Sequence, residues 1–501
     1  MQLDSFASPA TVLEPVSTDT YPDLVPLVVD LDGTLTPTDT LVESIVLLLK
    51  QRPQDLLRLP GWLLNGRAQL KDQVAARTQL PVAGLPWRAE LIEYLQAEKA
   101  RGRRIVLATA AHHDIADLAA QHLGLFDAVL SSDPEHNLKG AAKLEAIREL
   151  VGPDFIYVGD SAADLPIWKA ANGAVLVGVS RQVARTVRED RTPIEREFPR
   201  APEGLSLWLR ALRVHQWLKN LLLFVPMLTA FSFMQPAKLL TMACAFLAFS
   251  LVASATYVAN DLWDLENDRA HPRKRHRPFA SGALPLHHGV AVAALALTSA
   301  FLLASTVSQG FTLVLLAYLV LTSSYSWALK GYVLLDVLML ALLYTLRIVA
   351  GSVAIGVVTS SWLLAFSVFI FLSLALVKRC SELLLLEQRG NVAARGRDYR
   401  VTDLTVLWPL GVGAALSSIV VFGLFLSAPE TQARYASPQL LWLVAFGLIY
   451  WLGRLWIKTA RGEMHDDPVL FAVKDRGSRL TVAAIVLTTL VARFAQVGIA
   501  T

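Results

Sequence analysis

Three carboxylates and one amide recur at regular spacing near the middle of the chain, at Asn260, Asp261, Asp264 and Asp268. They follow an apolar run that is long enough to cross a bilayer. On a helix, residues four apart share one face, which would align Asn260, Asp264 and Asp268. Neighbouring carboxylates repel one another unless a cation lies among them, and Mg2+ takes carboxylate, water and phosphate oxygens. The spacing predicts a site for Mg2+ and a diphosphate at a membrane surface.

A basic run follows these acids. Lys274, Arg275 and Arg277 lie within the next ten residues and would supply positive charge to the phosphates of a diphosphate. The simpler alternative is a solvated loop whose charges only set the membrane topology. That alternative explains the basic residues but not the spacing of the acids, so we favour the metal-diphosphate site.

A second group of polar residues lies nearer the N-terminus. Three short apolar runs of the buried-strand type end in polar side chains, and a helical pattern begins beside a lysine. In open α/β sheets, ligands bind at the carboxyl ends of the strands. The residues concerned are Asp30, Asp32, Thr109, Lys139, Asp160 and Asp164.

The Asp-Leu-Asp-Gly-Thr run at 30–34 and the polar residues after it resemble, in their order, the four motifs of the haloacid-dehalogenase-like phosphatase superfamily. The resemblance covers about residues 23–180 and implies an α/β Rossmann-like phosphatase domain. It implies that Asp30 is the nucleophile and Asp32 the general acid/base, with an aspartyl-phosphate formed and then hydrolysed. The alternative is a domain that keeps the motifs but only binds.

The same resemblance assigns the other motif residues. Thr109 and Lys139 would hold the transferred phosphoryl group, and a cluster of aspartates would bind one Mg2+. Residues 41–88 would form a small helical cap over the site. Its Trp62 and Trp87 either pack within the domain or lean on the bilayer or a lipid. The implied magnesium ligands are Asp30, Asp32, Asp160 and Asp164.

The chain as a whole has two compositional parts. Of its 501 residues, those up to about 205 carry frequent charges, whereas long apolar runs alternate with short polar ones from about 217 onward. The net charge of +4 is explained by charged membrane loops and gives no indication of nucleic-acid binding. Two cysteines, Cys244 and Cys380, predict no disulfide framework. Residues 1–22 lack a basic region and are expected to be a flexible tail rather than a signal peptide.

Residues 181–212 predict a linker with a short interfacial helix, and residues 213–501 predict a transmembrane domain. Nine apolar runs in it approach the roughly 20 residues that a bilayer requires. Lys and Arg concentrate in the loops after the even-numbered runs, which would place the N-terminal domain and both sites on the cytoplasmic side of the plasma membrane. The runs are about 217–233, 238–258, 288–307, 311–328, 334–357, 361–377, 405–426, 439–457 and 480–498.

Several polar residues lie in or beside these runs, where contact with lipid would be unfavourable. Asp336 and Arg347 are eleven residues apart, about three turns, and would share one helix face. Gln216 and Asn220 would share a face at the start of the first run, beside Lys219. Ionisable residues inside a membrane segment are expected to be functional, and a structural ion pair is the alternative for Arg347.

Nine spans, with an Asn-Asp-x-x-Asp-x-x-x-Asp pattern after the second, resemble the UbiA superfamily of intramembrane prenyltransferases over about residues 205–498. The resemblance implies an all-α domain that binds an isoprenoid diphosphate through one or two Mg2+ ions and transfers the prenyl group to an acceptor. The second acidic motif of that family is incomplete here, because Asp336 is followed four residues later by Leu340. In this respect the chain is similar to the branch of decaprenyl-phosphate phosphoribosyltransferases. The residues that carry this second likeness include Tyr325, Lys330, Asp336, Arg347 and Asp467.

That branch implies different substrates. Phosphoribosyl diphosphate would be the donor held by Mg2+, and polyprenyl phosphate would be the acceptor, whose anionic phosphate needs no strong base. Lys274, Arg275 and Arg277 would contact the donor. The residues expected to hold the diphosphate, the lipid phosphate or the ribose 5-phosphate are Asn260, Asp261, Asp264, Asp268, Gln216, Lys219, Asn220, Tyr325, Lys330, Asp336, Arg347, Lys378 and Arg379.

The two halves together indicate a bifunctional enzyme. The membrane domain would make a polyprenyl-phosphoryl phosphoribose, and the phosphatase domain would remove its 5-phosphate to give a ribosyl lipid for cell-wall arabinan precursors. The main alternative is a prenyltransferase for an aromatic or other small acceptor, with the phosphatase acting on a separate ester. A phosphatase that recycles polyprenyl phosphate and a lipid-binding or transport protein are further alternatives. A homo-oligomer is compatible with the sequence.

Overall fold

The computed structural model describes residues 24–133, 136–200, 204–388, 390, 397–464 and 468–496. The tail expected at 1–22, and Asp467, lie outside these residues. The chain forms two compact units. One is built from Met1–Ala211 and Val258–Val292, and the other from Leu212–Tyr257 and Ala293–Thr501.

A parallel sheet of six strands organises the described part of the first unit, as the sequence predicts for an α/β Rossmann-like domain. The strand order is β3-β2-β1-β4-β5-β6, so the direction of winding reverses between β1 and β4. Ligands of such sheets bind at this reversal. The strands are β1 (Leu27–Val29), β2 (Ile105–His112), β3 (Ala128–Ser132), β4 (Ile156–Gly159), β5 (Gly173–Val177) and β6 (Ile194–Phe198).

The central strand is buried on both faces. Successive side chains of a strand point to opposite faces, and here Leu27 and Val29 join one apolar cluster while Val28 joins another with Tyr157 and Trp168. Burying one side chain of this kind contributes roughly 1.5–3 kcal/mol. The packing therefore fixes the end of β1, where Asp30 follows.

The segment between β1 and β2 is helical, as a cap would be. Pro53 and Pro60 lie in the first turns of helical elements, where a missing N–H leaves no hydrogen bond unmade. Leu48, Leu70 and Val74 form a small buried cluster of this segment. The helices up to residue 211 are α1 (Thr40–Gln51), α2 (Leu59–Leu64), α3 (Arg67–Ala75), α4 (Ala89–Ala100), α5 (His113–Leu123), α6 (Ala141–Val151), α7 (Leu165–Ala170), α8 (Arg181–Glu189) and α9 (Leu205–Ala211).

The segment at 181–212 is more than the linker expected from its sequence. Strand β6 pairs in parallel with β5, and Phe198 at its end belongs to a buried cluster of the sheet. Edge strands commonly carry charges, and β6 reads Ile-Glu-Arg-Glu-Phe. It therefore lacks the continuous apolar run by which the other strands are recognised.

Long apolar helices make up most of the remaining chain. In the described residues, eight helices are long and apolar enough to span a membrane, namely α11, α13, α14, α15, α16, α17, α19 and α21. The helices after residue 211 are α10 (Val225–Thr229), α11 (Pro236–Trp263), α12 (Leu265–Ala270), α13 (Leu286–Val307), α14 (Gln309–Trp327), α15 (Leu335–Ile355), α16 (Ser361–Gln388), α17 (Leu404–Ser427), α18 (Pro429–Arg434), α19 (Leu441–Ala460), α20 (Pro468–Lys474) and α21 (Arg476–Phe494).

The expected number of nine spans is not confirmed. The first apolar run, about 217–233, forms a 3-10 segment over Val214–Phe224 and then the short helix α10, with Pro226 in its first turn. A Cβ atom on Gly351 of α15 would lie 2.0 Å from the carbonyl oxygen of Leu223. Gly351 therefore permits the bent segment to pack directly against α15.

Candidate active sites

The reversal of strand order brings aspartates together in the first unit. Asp30 follows β1, whereas Asp160 and Asp164 follow β4, the strand that pairs with β1. One carboxylate oxygen of each lies within 4.8 Å of the other two. Three oxygen donors converging in this way suit a hard divalent cation such as Mg2+. Asp30, Asp160 and Asp164 are therefore able to hold the ion that the sequence implies.

Gly33 is required for this convergence. Its φ is +79°, a conformation that residues with a Cβ atom rarely adopt. A Cβ atom at this position would lie 2.2 Å from Oδ2 of Asp160. The glycine of the Asp-Leu-Asp-Gly-Thr run thus leaves room for a carboxylate that arrives from β4.

The Asp32 carboxylate has other partners. It accepts hydrogen bonds from the backbone N–H of Thr40 at 2.9 Å and from the Thr40 hydroxyl at 3.3 Å. Thr40 is the first residue of α1 and directly precedes the segment expected to form a cap. Of the four side chains implied as magnesium ligands, the structure brings together three, and it places the Asp32 side chain beside the start of α1.

Burial is the largest cause of the raised pKa values of these carboxylates. It raises the pKa of Asp32 to about 8, with repulsion from Asp39 adding to the effect. Burial, followed by repulsion from Asp164 and Asp30, raises the pKa of Asp160 to about 7, and burial also raises the pKa of Asp30. A cation among these groups would favour their charged forms. The raised pKa of Asp32 favours its protonated form, which is the form that donates a proton in general acid catalysis.

Lys143, which the sequence did not single out, contacts the expected nucleophile. Its buried Nζ lies 2.8 Å from Oδ2 of Asp30 and donates to the Tyr157 hydroxyl at 2.6 Å. The Tyr157 hydroxyl donates to Asp164 at 3.0 Å. Lys143 and Ile147 are the buried residues of α6, four apart on one face. A lysine on the apolar face of a helix is the signal in the sequence that could have identified it.

The two residues expected to hold the phosphoryl group, Thr109 and Lys139, do not contact Asp30 in this way. Lys139 is exposed and lines a cavity above the aspartates. Thr109 is fully buried in β2, where its hydroxyl accepts a hydrogen bond from the N–H of Ala111 at 3.0 Å. Lys143 is thus the lysine in direct contact with Asp30, and Lys139 lies at the wall of the cavity.

The cavity has a volume of about 530 Å³, enough for a sugar phosphate or a comparable group. Its floor contains the aspartates and Lys143. One wall comes from helix α3 and another from residues 285–287, where α13 begins. Outside the aspartate cluster, its basic and histidine lining consists of Arg67, Lys71, His112, Lys139 and His287.

The acidic motif at 260–268 crosses a helix break. Helix α11 ends at Trp263 and α12 begins at Leu265, with Asp264 between them. The N–H groups of Asp264 and Asp268 still donate to the carbonyls four residues earlier, at 2.9 and 2.8 Å. The helical spacing predicted for the motif is therefore kept across the break.

Arg277 joins two acids of this motif. Its guanidinium donates to the buried carboxylates of Asp261 at 3.1 Å and Asp268 at 2.6 Å. In the described chain, the carboxylates of Asp261, Asp264 and Asp268 do not all approach within 4.8 Å of one another. The donor set has the hard oxygen chemistry that Mg2+ prefers, and Arg277 at present supplies the compensating positive charge.

The remaining basic residues of this loop are more accessible. Lys274 Nζ lies 4.0 Å from Asp268, and the exposed Arg275 donates through Nε to the His276 ring at 3.4 Å. Side chains with this exposure can reach phosphates at little cost in desolvation.

In the second unit, Arg347 is buried and fully engaged. It donates to Asn220 Oδ1 at 3.0 Å, to the Tyr318 hydroxyl at 2.9 Å and to the Leu343 carbonyl at 2.6 Å. Asn220 in turn donates to Ser250 at 3.0 Å. The structure therefore brings Asn220 and Arg347 together, in a network that orients both side chains.

Asp336 pairs with residues other than Arg347. Its buried carboxylate accepts from Arg379 at 2.5 Å and from the Tyr399 hydroxyl at 2.5 Å. Arg379 also pairs with Glu382, which accepts from Arg397 at 2.8 Å. The common face expected for Asp336 and Arg347 does not lead to an ion pair, because the partner of Asp336 comes from α16.

The other predicted binding residues of this unit are half-buried. The Lys219 ammonium lies 5.8 Å from the centre of the Tyr344 ring, a distance at which cation–π attraction acts. The remaining half-buried residues are Gln216, Tyr325, Lys330 and Lys378.

These features define a membrane protein with a phosphatase-like N-terminal domain and an acid-rich loop between apolar helices. A sequence model of the UbiA prenyltransferase family matches residues 221–474, half of the chain, and the protein belongs to this family. A model of the haloacid dehalogenase-like hydrolases matches residues 27–169. The protein is thus an integral membrane enzyme of the UbiA family with a haloacid-dehalogenase-like domain at its N-terminus.

Relatives match either nearly all or about half of the chain. The uncharacterized protein y4nM of Sinorhizobium fredii is 40% identical over 466 residues, covering 92% of this chain and 89% of its own length. Nodulation protein NoeC of Azorhizobium caulinodans is 34% identical over 283 residues, with coverages of 56% and 91%. Decaprenyl-phosphate phosphoribosyltransferase of Mycobacterium tuberculosis is 31% identical over 288 residues, with coverages of 56% and 92%.

Proposed function

We propose that this protein transfers 5-phosphoribose from phosphoribosyl diphosphate to polyprenyl phosphate and then removes the 5-phosphate. In the first step an oxygen of the lipid phosphate attacks the anomeric carbon, and diphosphate leaves. In the second step water replaces the sugar oxygen at phosphorus, which releases inorganic phosphate and a polyprenyl-phosphoryl ribose. The strongest support is the similarity to a decaprenyl-phosphate phosphoribosyltransferase over 92% of that enzyme's length.

In the transferase step, the acidic motif and its basic neighbours would hold the donor. Mg2+, when bound by Asp261, Asp264 and Asp268, supplies positive charge to the leaving diphosphate. Arg277 would exchange its carboxylate partners for a phosphate, and the exposed Lys274 and Arg275 would contact the same group. Asn260 would orient the motif.

Residues of the second unit divide into two groups by their contacts. Asn220, Asp336, Arg347 and Arg379 are buried in hydrogen-bonded networks and would position the site. Gln216, Lys219, Tyr325, Lys330 and Lys378 are only half-buried and would contact the lipid phosphate or the ribose phosphate.

In the phosphatase step, Asp30 would attack phosphorus while Lys143 offsets the negative charge that gathers there. Asp32 would give its proton to the leaving sugar oxygen and then accept one from the water that hydrolyses the aspartyl-phosphate. Mg2+ at Asp30, Asp160 and Asp164 would neutralise phosphoryl oxygens. Both steps would take place on the cytoplasmic face of the plasma membrane, as the loop charges favour.

The test compares the wild type with Asp30→Asn. Purified full-length protein receives Mg2+, polyprenyl phosphate and radiolabelled phosphoribosyl diphosphate, and the lipid products are separated and examined for a 5-phosphate. We expect ribosyl lipid from the wild type and 5-phosphoribosyl lipid from the variant. Accumulation of the 5-phosphate form by both proteins would assign the phosphatase to another ester. Absence of label from the lipid would reject the donor and favour the prenyltransferase alternative.

A further inference from the structure

The wall formed by residues 285–287 has an unusual origin. Pro285, Leu286 and His287 line the same cavity as Asp30 and Asp160, although about 120 residues of sequence separate them from the phosphatase motifs. Leu286 is the first residue of α13, a helix long and apolar enough to span a membrane. Because a span begins where the bilayer meets water, Pro285–His287 would lie at the end of a membrane span.

A buried ion pair fixes this segment to the phosphatase domain. Arg269 donates to both carboxylate oxygens of Glu43, at 2.5 and 3.1 Å, and the two side chains are 10% and 4% exposed. Glu43 also accepts a hydrogen bond from Thr38 at 2.7 Å. Arg269 donates in addition to the carbonyl of Ala280 at 3.0 Å, which ties the ion pair to the chain leading to the wall.

Close packing supplies a second attachment. Gly282 has a φ of +71°, and a Cβ atom there would lie 2.5 Å from Cγ of Pro37. Pro37 follows the Asp-Leu-Asp-Gly-Thr run and lines the cavity itself. Two independent contacts, at Pro37 and at Glu43, therefore hold the segment against the chain that follows the Asp-Leu-Asp-Gly-Thr run.

We propose that Pro285–His287 forms a substrate-recognition wall of the phosphatase cavity, and that the phosphatase domain acts on phosphomonoesters carried by a membrane lipid. His287 would hydrogen-bond the polar headgroup between the reacting phosphate and the lipid. This inference rests on the proposed function for the identity of that headgroup, a ribosyl phosphodiester. It assigns substrate recognition by the phosphatase to a residue of the transmembrane sequence.

His288 provides a matched control. It is exposed like its neighbour and its ring lies 4.4 Å from that of His287, yet His287 lines the cavity and His288 does not. Replacing either by alanine removes the same side chain from the first turn of α13. A difference between the two variants would therefore report on the cavity and not on the helix.

The experiment uses full-length protein in lipid nanodiscs with two substrates. One is chemically prepared 5-phosphoribosyl polyprenyl phosphate, and the other is ribose 5-phosphate, which lacks the phosphodiester and the lipid. Release of phosphate gives kcat and KM, and Asp30→Asn serves as the blank. Selectivity is the ratio of kcat/KM for the lipid to kcat/KM for ribose 5-phosphate.

In the wild type we expect a selectivity well above one. His287→Ala should lower it about tenfold, mainly by raising KM for the lipid, since a lost hydrogen bond to a charged group corresponds to a change of this size. His288→Ala should stay within about twofold of the wild type. His287→Gln, which keeps an N–H donor, should recover part of the loss.

Two results would overturn the inference. One is equal selectivity in His287→Ala, His288→Ala and the wild type, and the other is a wild-type selectivity near one. If the wild type hydrolyses neither substrate, the second step of the proposed function is wrong. The same assay is then repeated with phosphatidic acid as the lipid substrate and glycerol 3-phosphate as the soluble one. If only His287→Ala then loses selectivity, Pro285–His287 recognises a lipid phosphomonoester, but the phosphoribosyl lipid is not the substrate. Hydrolysis of none of these esters would reject both.

Discussion

The two acidic sites of this protein differ in how a basic side chain offsets the repulsion between neighbouring carboxylates. At the end of the sheet, oxygens of Asp30, Asp160 and Asp164 converge within 4.8 Å, and Lys143 contacts one of the three carboxylates. In the loop after α11, Arg277 lies between Asp261 and Asp268 and joins them. The cation of the first site contacts one of the three converging carboxylates, whereas the cation of the second site joins two carboxylates to each other.

The difference follows from the elements that carry the residues. Strands β1 and β4 are buried on both faces and are hydrogen-bonded to each other, so Asp30 and Asp160 keep their separation. The loop motif lies at a helix break, and the side chain of Arg277, which joins its acids, is 27% exposed. We infer that the sheet site binds Mg2+ before substrate, and that the loop site binds it together with a diphosphate, when Arg277 can turn to a phosphate.

Lys143 should have the largest effect on the sheet site. Replacing it by methionine removes the cation beside the nucleophile, and we expect kcat for phosphate release to fall about 100- to 1,000-fold, as for loss of one donor to a developing oxyanion. Lys139→Met, at the cavity wall, should cost about tenfold or less. Phosphate release from the 5-phosphoribosyl lipid measures both. A larger loss in Lys139→Met than in Lys143→Met would show that Lys139, as the sequence motif suggests, is the lysine that binds the phosphoryl group.

Arg277 is the corresponding residue of the loop site. Arg277→Gln removes the guanidinium that joins Asp261 and Asp268, so we expect the Mg2+ concentration for half-maximal transfer to fall. The maximal rate should also fall, about 10- to 100-fold, because the diphosphate loses a donor. Arg275→Gln, exposed in the same loop, should lose about threefold in rate without a change in Mg2+ dependence. An unchanged Mg2+ dependence in Arg277→Gln would contradict the competition between the guanidinium and the metal.

Mg2+ alone should distinguish the two sites by its effect on stability. At a concentration of about 100 Kd, a ligand that binds only the folded state adds about 2.7 kcal/mol, which corresponds to a rise in Tm of several degrees. Without diphosphate we expect this rise in the wild type and in Asp264→Asn but not in Asp164→Asn. Intrinsic fluorescence of the full-length protein during heating measures it. A rise that persists in Asp164→Asn would place the first Mg2+ elsewhere.

The sequence was enough to identify residues whose positions follow from a short run of neighbouring residues. It did not identify residues whose partners come from distant segments of the chain. Apolar runs with polar ends were enough to locate β1, β2 and β4, and with them Asp30 and Asp160. The contact of Lys143 with Asp30 depends on how α6 is rotated against the sheet, and the motif around Lys139 does not reveal that rotation. A charged edge strand such as β6 likewise shows itself only through its pairing with β5.

The same limit applies to the membrane helices. The helical spacing of Asp264 and Asp268 follows from the sequence, but their relation to Arg277 depends on the path of the loop after α12. Asp336 and Arg347 share a helix, and yet Asp336 pairs with Arg379, 43 residues away. Tertiary packing determines which basic side chain lies next to a buried carboxylate. The spacing of residues along one helix does not reveal that partner.

Gly282→Ala should have the smallest effect of these substitutions. It tests whether the loop that follows the second acidic site also positions residues of the phosphatase cavity. Alanine at this position meets an unfavourable φ of +71° and a contact of 2.5 Å with Pro37, so we expect a loss of about 1–2 kcal/mol of unfolding free energy. Gly413→Ala, whose new Cβ would have no atom within 4 Å, should change stability by less than about 1 kcal/mol. Chemical denaturation of the full-length protein in detergent compares them. Because the displaced segment carries Pro285 and His287, Gly282→Ala should also reduce the preference of the phosphatase for its lipid substrate. A loss of stability with unchanged preference would show that the wall keeps its position through Arg269 and Glu43 alone.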